Sequence, residues 1–330
     1  MRAVVIHEFG DAGDVPLGTL PDPAPGPDEV LVRIHAVAVN FVDLLVMEGK
    51  YQFLPDRPFA PGKLPCGVIE AVGSAVTAFR PGDRVQTMAE HGGYAELVAV
   101  PQDQCLHLPD TLSFTDAASM ALAFDTAWFA LRDRARIRPG ESVLVLGATG
   151  AVGNAALQLA NAWGARVLAG ASSPDRMDDV LRAGADAAID LSRKNLRDDL
   201  RAQVHAANDG NGVDIVIDPL GGDIFDAAIR ALAWRGRLVV VGFAAGRIPE
   251  IRANYLLLKN IEVSGLQVSD YRKRDPDQMA VCFAELFSLY ESGNLIPAAS
   301  ETFPLDRYRD ALTRMRDRTA GKRLVLQPNR

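Results

Sequence analysis

The sequence predicts a two-domain α/β protein, in which a mostly antiparallel β domain is joined to a doubly wound parallel-sheet domain. Three observations carry this. The length, 330 residues, exceeds the roughly 250–300 residues at which one hydrophobic core stops growing. Up to about Pro109, short β-like runs ("AVVIHEF", "EVLVRIHAVAVN", "CGVIEAVG", "DRVQTM", "YAELVAV") alternate with Pro and Gly turns, the pattern of an antiparallel, partly closed sheet. Further on, six apolar runs ("SVLVLGA", "RVLAGAS", "AAIDL", "VDIVIDPL", "GRLVVVGF", "IEVSGL") alternate with helical ones. Such strands call for a parallel sheet covered on both faces, because each crossover buries a helix against it.

The elements follow in chain order. "PDPAPGPDE" and "RPGDRV" supply turns between the first strands. From "SFTDAASMALAFDTAWFALRDRARI" the apolar period lengthens to that of a helix and leads into the alternating region. The tail, "QMAVCFAELFSLYESGNL" to "KRLVLQP", reads as a helix, a turn, a second helix and a last strand that returns to the first sheet. No internal repeat interrupts this plan.

Composition sets the class. A formal net charge of -7 argues against a surface built for nucleic acid or anionic lipid, which needs a clustered excess of Lys and Arg. Cys66, Cys105 and Cys282 form no close pair and fit a reducing compartment. "MRAVVIHEFG" meets His7 and Glu8 after a short apolar run and reads as a first strand rather than a signal peptide. The most apolar stretch is broken by Asn154, Gln158 and Asn161, short of the ~20 residues of a membrane helix. A cytoplasmic protein is expected.

Val143 to Arg176, "VLVLGATGAVGNAALQLANAWGARVLAGASSPDR", reads as strand, glycine turn, small-residue helix and second strand. Its spacing, Gly147-x-x-Gly150-x-x-Gly153, departs from the strict dinucleotide fingerprint but keeps its context. Glycines there let the main chain of Gly147, Ala148, Thr149, Gly150, Ala151, Val152 and Gly153 approach a pyrophosphate, aided by the helix N-terminus. The alternative is a turn that merely packs strand against helix. NAD-preferring sites end the second strand with an Asp or Glu about 20 residues on. This chain has Ser172, Ser173 and Arg176, two hydroxyls and a guanidinium suited to a 2′-phosphate, so NADPH is the expected cofactor. Asp175 sits at a helix entry, where an acid suits the dipole.

Beyond this loop, "AVAVNFVDLLVMEGKY", "GVIEAVGSAVTAFRPGDRV", "GGYAELVAV", "GATGAVGNAALQLA" and "AGADAAID" resemble the zinc-independent quinone oxidoreductase (zeta-crystallin-like) family of the medium-chain dehydrogenases/reductases, over essentially the whole chain. The resemblance implies a GroES-like catalytic domain over 1–122 and 265–330, interrupted by a Rossmann domain over 123–264. Zinc-dependent relatives keep a cysteine and a His-Glu pair. Asn40, Lys63 and Leu64 stand at those places, and neither lysine nor leucine would be a zinc ligand there, so no metal is expected. The five histidines show no ligand spacing.

Without a metal, hydride suits a carbon already made electrophilic by conjugation, as in a quinone or an α,β-unsaturated carbonyl, provided the protein orients the acceptor and bonds its oxygen. Asn40 and Tyr51 are the catalytic candidates, placed beside the nicotinamide by the resemblance, with Leu45 where many relatives carry an aromatic. The alternatives are an Asn40 that satisfies backbone groups where a strand meets a helix and a Tyr51 that is an aromatic wall. The resemblance also assigns Asn40, Thr126, Gly242, Phe243 and Leu266 to the cofactor, and Arg318 to its 2′-phosphate, against a solvated helix face. Asp218 is read as shaping the turn after its strand. A homodimer through the edge strand around "IEVSGL" is expected. An NADPH-dependent reductase of quinones or enones is the favoured function; a zinc-free alcohol dehydrogenase and a non-enzymatic NADPH-binding protein of crystallin-like or regulatory role are the alternatives.

Overall fold

The computed structural model describes residues 1–329, with Arg330 outside them. Its chain forms two compact units, one of residues 1–122, 271–283 and 296–330, the other of residues 123–270 and 284–295.

The second unit is built on the six apolar runs. Its sheet runs Ala187–Asp190, Arg166–Ala171, Ser142–Val145, Val213–Asp218, Leu232–Val240, Glu262–Gly265, and every pairing is parallel. In sequence order that is 3-2-1-4-5-6, the doubly wound arrangement in which ligands bind beyond the carboxyl ends of the strands. Val143, Leu144 and Val145 are fully buried. β-Branched and leucine side chains covered on both faces contribute roughly 1.5–3 kcal/mol each by leaving water. Leu168, Val216, Leu238, Phe225 and Leu200 complete that core.

The first unit holds the antiparallel sheet. Glu29–Ala38 is central, pairing with Cys66–Val72, Leu97–Pro101 and Arg323–Gln327, all antiparallel. Arg84–Thr87 and Cys105–His107 extend it, and Arg2–Val4 with Leu17–Thr19 forms a separate ribbon. The last strand returns to the first sheet as expected, in the register Val325↔Ala38 and Leu326↔Val37.

Several elements lie outside the expected runs, the short strands Leu17–Thr19 and Cys105–His107 among them. Ser300–Pro304 pairs in parallel with Arg323–Gln327 at the sheet's edge. It buries only Phe303 and ends in proline, so it shows no apolar alternation and sits where a missing N–H is tolerated. The helix Val268–Arg274 is two turns long, too short to show a period. No helix among the described residues is long and apolar enough to cross a membrane.

Candidate active site

In the parallel-sheet unit the phosphate loop is fixed by main-chain bonds. Leu146 N–H donates to Ile217 O at 3.0 Å, Ala148 N–H to Gly170 O at 3.0 Å, and Gly150 N–H closes a turn on Gly147 O at 2.9 Å. Gly147 has φ +61, a left-handed conformation that a side chain would strain. The helix Ala151–Ala162 begins after Gly150, and its first internal bond is Asn154 N–H to Gly150 O, 2.8 Å. The N–H groups of Ala151, Val152 and Gly153 precede that bond and carry the positive end of the helix dipole. A Cβ on Gly153 would collide with the Gly147 carbonyl and lie 2.8 Å from Ala148 Cα. The loop is therefore a cradle that only glycine permits, of a form that accepts a pyrophosphate.

The candidates that follow strands of this unit gather at the carboxyl ends of the sheet, because parallel strands end together. Ser172 and Ser173 follow Arg166–Ala171, and Arg176 closes a short turn with its N–H on Ser173 O at 3.1 Å. Arg176 is exposed and reaches Asp179 only at 4.0 Å, while Arg182 takes that carboxylate at 2.6 Å. Nearby Arg193 is tied to Asp190 at 2.8 Å. Gly242 and Phe243 follow Leu232–Val240, and Leu266 N–H donates to Val240 O at 3.0 Å after Glu262–Gly265. Asp218 shapes its turn, accepting N–H bonds from Leu220 at 2.8 Å and Gly221 at 2.9 Å. Thr126 is buried near the end of the helix Phe114–Trp128.

Asn40, Tyr51 and Arg318 belong to the other unit. Asn40 precedes the helix Phe41–Met47. Its N–H donates to Asp43 Oδ2 at 2.8 Å, Asp43 N–H donates to its carbonyl at 3.0 Å, and its side chain donates through Nδ2 to Ala38 O at 3.2 Å. Its Oδ1 accepts from Arg323 Nη2 at 2.9 Å. The amide is thus oriented, with one of its two Nδ2 hydrogens bonded to Ala38. Asp43 is buried, accepts from Tyr94 Oη at 3.0 Å, and leaves Oδ1 without a partner. Burial pushes its carboxyl up to about 6, against the pull of the Asn40 and Tyr94 bonds and of the Lys63 and Arg323 charges.

From the sequence, Lys63 stands out only as a replacement for a zinc ligand. The structure buries it, pairs its ammonium with Glu90, and sets it 4.7 Å over the Tyr51 ring. Glu90 also accepts from Arg272 at 2.6 Å. Burial alone would raise the Glu90 carboxyl, yet Arg272 and Lys63 outweigh it and hold it at about 2. Lys63 lies between Gly62 at φ +92 and Leu64 at φ +55. A left-handed residue with a side chain costs on the order of 1–3 kcal/mol and gathers at functional sites. Asn40-x-x-Asp43 is the one part of this network with a sequence signature, the spacing of a helix capping box. Arg318 is exposed, at φ +55 beyond the helix Tyr308–Arg316.

The zinc donor set does not fit here. The Lys63 ammonium is committed to Glu90 and the Asn40 carbonyl oxygen to Arg323. Among the described residues no group of three or more His, Cys, Asp and Glu could hold a metal ion.

Comparison with known proteins agrees with this architecture. The family model for the alcohol dehydrogenase GroES-like domain matches residues 26–110, and that for zinc-binding dehydrogenases matches 151–285. A quinone oxidoreductase-like protein 2 homolog from Nematostella vectensis is 37% identical over 304 residues, covering 91% of this chain and 82% of that one. The Mus musculus quinone oxidoreductase is 35% identical over 313 residues, covering 94% and 92%. Among solved structures, the quinone oxidoreductase of Pseudomonas syringae pv. Tomato DC3000 superposes with a TM-score of 0.91 at 29% identity over 99% of both chains. A mycobacterial protein solved in complex with NADPH gives 0.91 at 30%, over 99% and 100%.

Proposed function

The chain belongs to the quinone oxidoreductase family of the medium-chain dehydrogenases/reductases, and from that premise we propose that it reduces quinones or α,β-unsaturated carbonyls with NADPH and without zinc. The observation that carries the cofactor half is the glycine cradle at Gly147–Gly153 with Arg176 exposed beside it. NADPH supplies a hydride when bound. The N–H groups of Ala151, Val152 and Gly153 hold its pyrophosphate, and Ser172, Ser173 and Arg176 receive the 2′-phosphate, with Arg318 as a further candidate. Thr126, Gly242, Phe243 and Leu266 line the nicotinamide side.

For the acceptor, hydride addition leaves a negative charge on the conjugated oxygen. The Nδ2 hydrogen of Asn40 that Ala38 does not take bonds that oxygen, and the Tyr51 hydroxyl gives it a proton, regained from water. Acceptor, NADPH and one proton thus yield the reduced acceptor and NADP⁺. Charge-assisted donors aimed at a developing oxyanion are the largest single source of catalysis in such sites. Cys66, Cys105 and Cys282 are buried and in no disulfide, which accords with a cytoplasmic location. A homodimer is part of the same reading. Glu262–Gly265 is one of the two outer strands of its sheet, and Leu257 and Leu258 are exposed on the helix leading into it. A monomeric mass by light scattering at micromolar concentration would remove the dimer.

A second reading, NADPH binding without turnover, draws on the bonds that already tie Asn40 to Ala38 and Arg323. One assay separates the two: loss of NADPH absorbance with a simple benzoquinone or methyl vinyl ketone, in the presence of a strong chelator. The proposal expects turnover. Binding of NADPH with no turnover of either acceptor favours the second reading, and activity lost to the chelator and restored by zinc removes the zinc-free mechanism.

A further inference from the structure

Tyr51 lies on a closed ring of side chains. Phe53 meets its ring edge-on, with centroids 6.2 Å apart at 71°, and Lys273 Nζ stands 4.5 Å over Phe53. Arg272, the helix neighbour of Lys273, donates to Glu90 Oε1 at 2.6 Å. Lys63 donates to the other oxygen of Glu90, and its ammonium sits 4.7 Å over the Tyr51 ring, which closes the circuit. The ring unites residues 51–63, Glu90 and residues 272–273, three stretches that the sequence keeps far apart.

The main chain beneath Lys63 is held as firmly. A Cβ on Gly62 would lie 2.8 Å from Tyr94 Cε1, so only glycine admits this path. Leu64 N–H donates to Ala89 O at 2.8 Å, Gln86 Nε2 donates to Leu64 O at 2.8 Å, and Thr87 Oγ1 to Pro65 O at 2.7 Å. These bonds hold the main chain on either side of Leu64, whose conformation is left-handed.

We infer that Lys63, seated on Glu90 beneath the Tyr51 ring, is a positioning residue for the reduction, acting through Tyr51 by holding it in place. A cation against a tyrosine face is attracted by the ring quadrupole, the more so when both are withdrawn from water. Glu90, with its carboxyl near 2, stays ionised at neutral pH and keeps the ring of contacts intact. The inference rests on the reading that Tyr51 donates to the acceptor. It adds that Tyr51 does so only because residues 51–63 and 272–273 are latched together through Glu90.

The test uses the full chain with NADPH and a simple benzoquinone. Lys63→Met should lower kcat about ten- to a hundred-fold while the KM for NADPH changes less than about twofold. Lys63→Arg keeps a positive charge able to pair with Glu90 and to sit over the Tyr51 ring and should recover part of that loss. Combining Lys63→Met with Tyr51→Phe should be no slower than Tyr51→Phe alone, since coupled residues are not additive. A parent-like kcat in Lys63→Met, or losses that multiply in the double variant, overturns the inference.

Amide exchange of residues 51–57 gives a readout that needs no turnover. Exchange should quicken in Lys63→Met and in Lys273→Ala. Lys273 is exposed, so its variant folds even where loss of a buried ion-pair partner unfolds Lys63→Met. If the parent reduces no quinone or enone, the functional reading fails while exchange still decides the latch. Unchanged exchange in both variants overturns the latch even in an active enzyme.

Discussion

At Gly147–Gly153 the binding groups are main-chain N–H donors set by seven consecutive residues, whereas around Asn40 and Tyr51 the functional groups are side chains with partners at positions 38, 43, 63, 90, 94, 272 and 323. The loop works by what is absent, a Cβ at Gly153. Around Asn40 and Tyr51 the work falls to paired charges withdrawn from water. A backbone cradle tolerates no change of shape and contains no ionisable group. A side-chain cluster tolerates changes of shape better but depends on its protonation states. The two regions should therefore fail in different ways.

The largest effect falls on the loop. In Gly153→Ala the new methyl must displace the Gly147 carbonyl or separate the helix from Ala148. NADPH affinity is expected to fall about a thousand-fold, or ~4 kcal/mol, with far-UV circular dichroism retained. In Gly150→Ala the methyl would meet only Gly147 O, at 3.3 Å, and the loss should be several-fold at most. Equal affinities for the two variants, by fluorescence titration, would mean that the cradle is a packing turn.

The same contrast decides what the sequence makes legible. The parallel sheet is readable because Ser142–Val145 is a continuous buried run and Val213–Asp218 is buried at all but Asp214, and the cradle because its geometry is a spacing of three glycines. The antiparallel sheet is readable from its turns, and the return of Arg323–Gln327 from its apolar run. Ser300–Pro304 is silent because an edge strand with one buried residue has no period. The Lys63–Glu90–Arg272 contacts are silent for another reason: pairing across 27 and 182 residues leaves no local pattern. Only Asn40 and Asp43, three apart, leave one.

An intermediate effect belongs to the side-chain cluster, read by pH. Asp43 is raised from 3.8 to about 6, chiefly by burial. Between those values the folded chain keeps a proton that the unfolded chain has released, so stability falls as pH rises through the window. Glu90 is lowered from 4.5 to about 2, with Arg272 and Lys63 overcoming its burial. Its contribution is present above 4.5 and is lost as pH falls toward 2. Each shift corresponds to about 3 kcal/mol in order of magnitude. Urea unfolding across pH 2–7 should show Asp43→Asn gaining on the parent between pH 4 and 6, and Glu90→Gln closing on the parent below pH 4.5. Curves parallel to the parent's would show that these carboxyls do not titrate as their surroundings dictate.

The smallest effect returns to the parallel-sheet unit, where a side chain supplements the backbone cradle. Arg176 is exposed, and its one ion-pair contact, 4.0 Å to Asp179, is weaker than the 2.6 Å bond Arg182 makes to the same carboxylate. Turning toward a phosphate would therefore cost it little. Arg193 would first have to leave Asp190 at 2.8 Å. A charge-assisted bond from arginine to phosphate is worth about 1.5–3 kcal/mol net, roughly ten- to a hundred-fold in affinity. Arg176→Glu should lose that much in kcat/KM for NADPH and little for NADH, because only NADPH sets a phosphate dianion against the new carboxylate. The side chain lies outside the core and the cradle's own bonds are main-chain bonds, so folding and pyrophosphate binding should be unaffected. An unchanged NADPH-to-NADH ratio would make Arg176 a helix-surface residue and transfer any preference to Arg193 or Arg318.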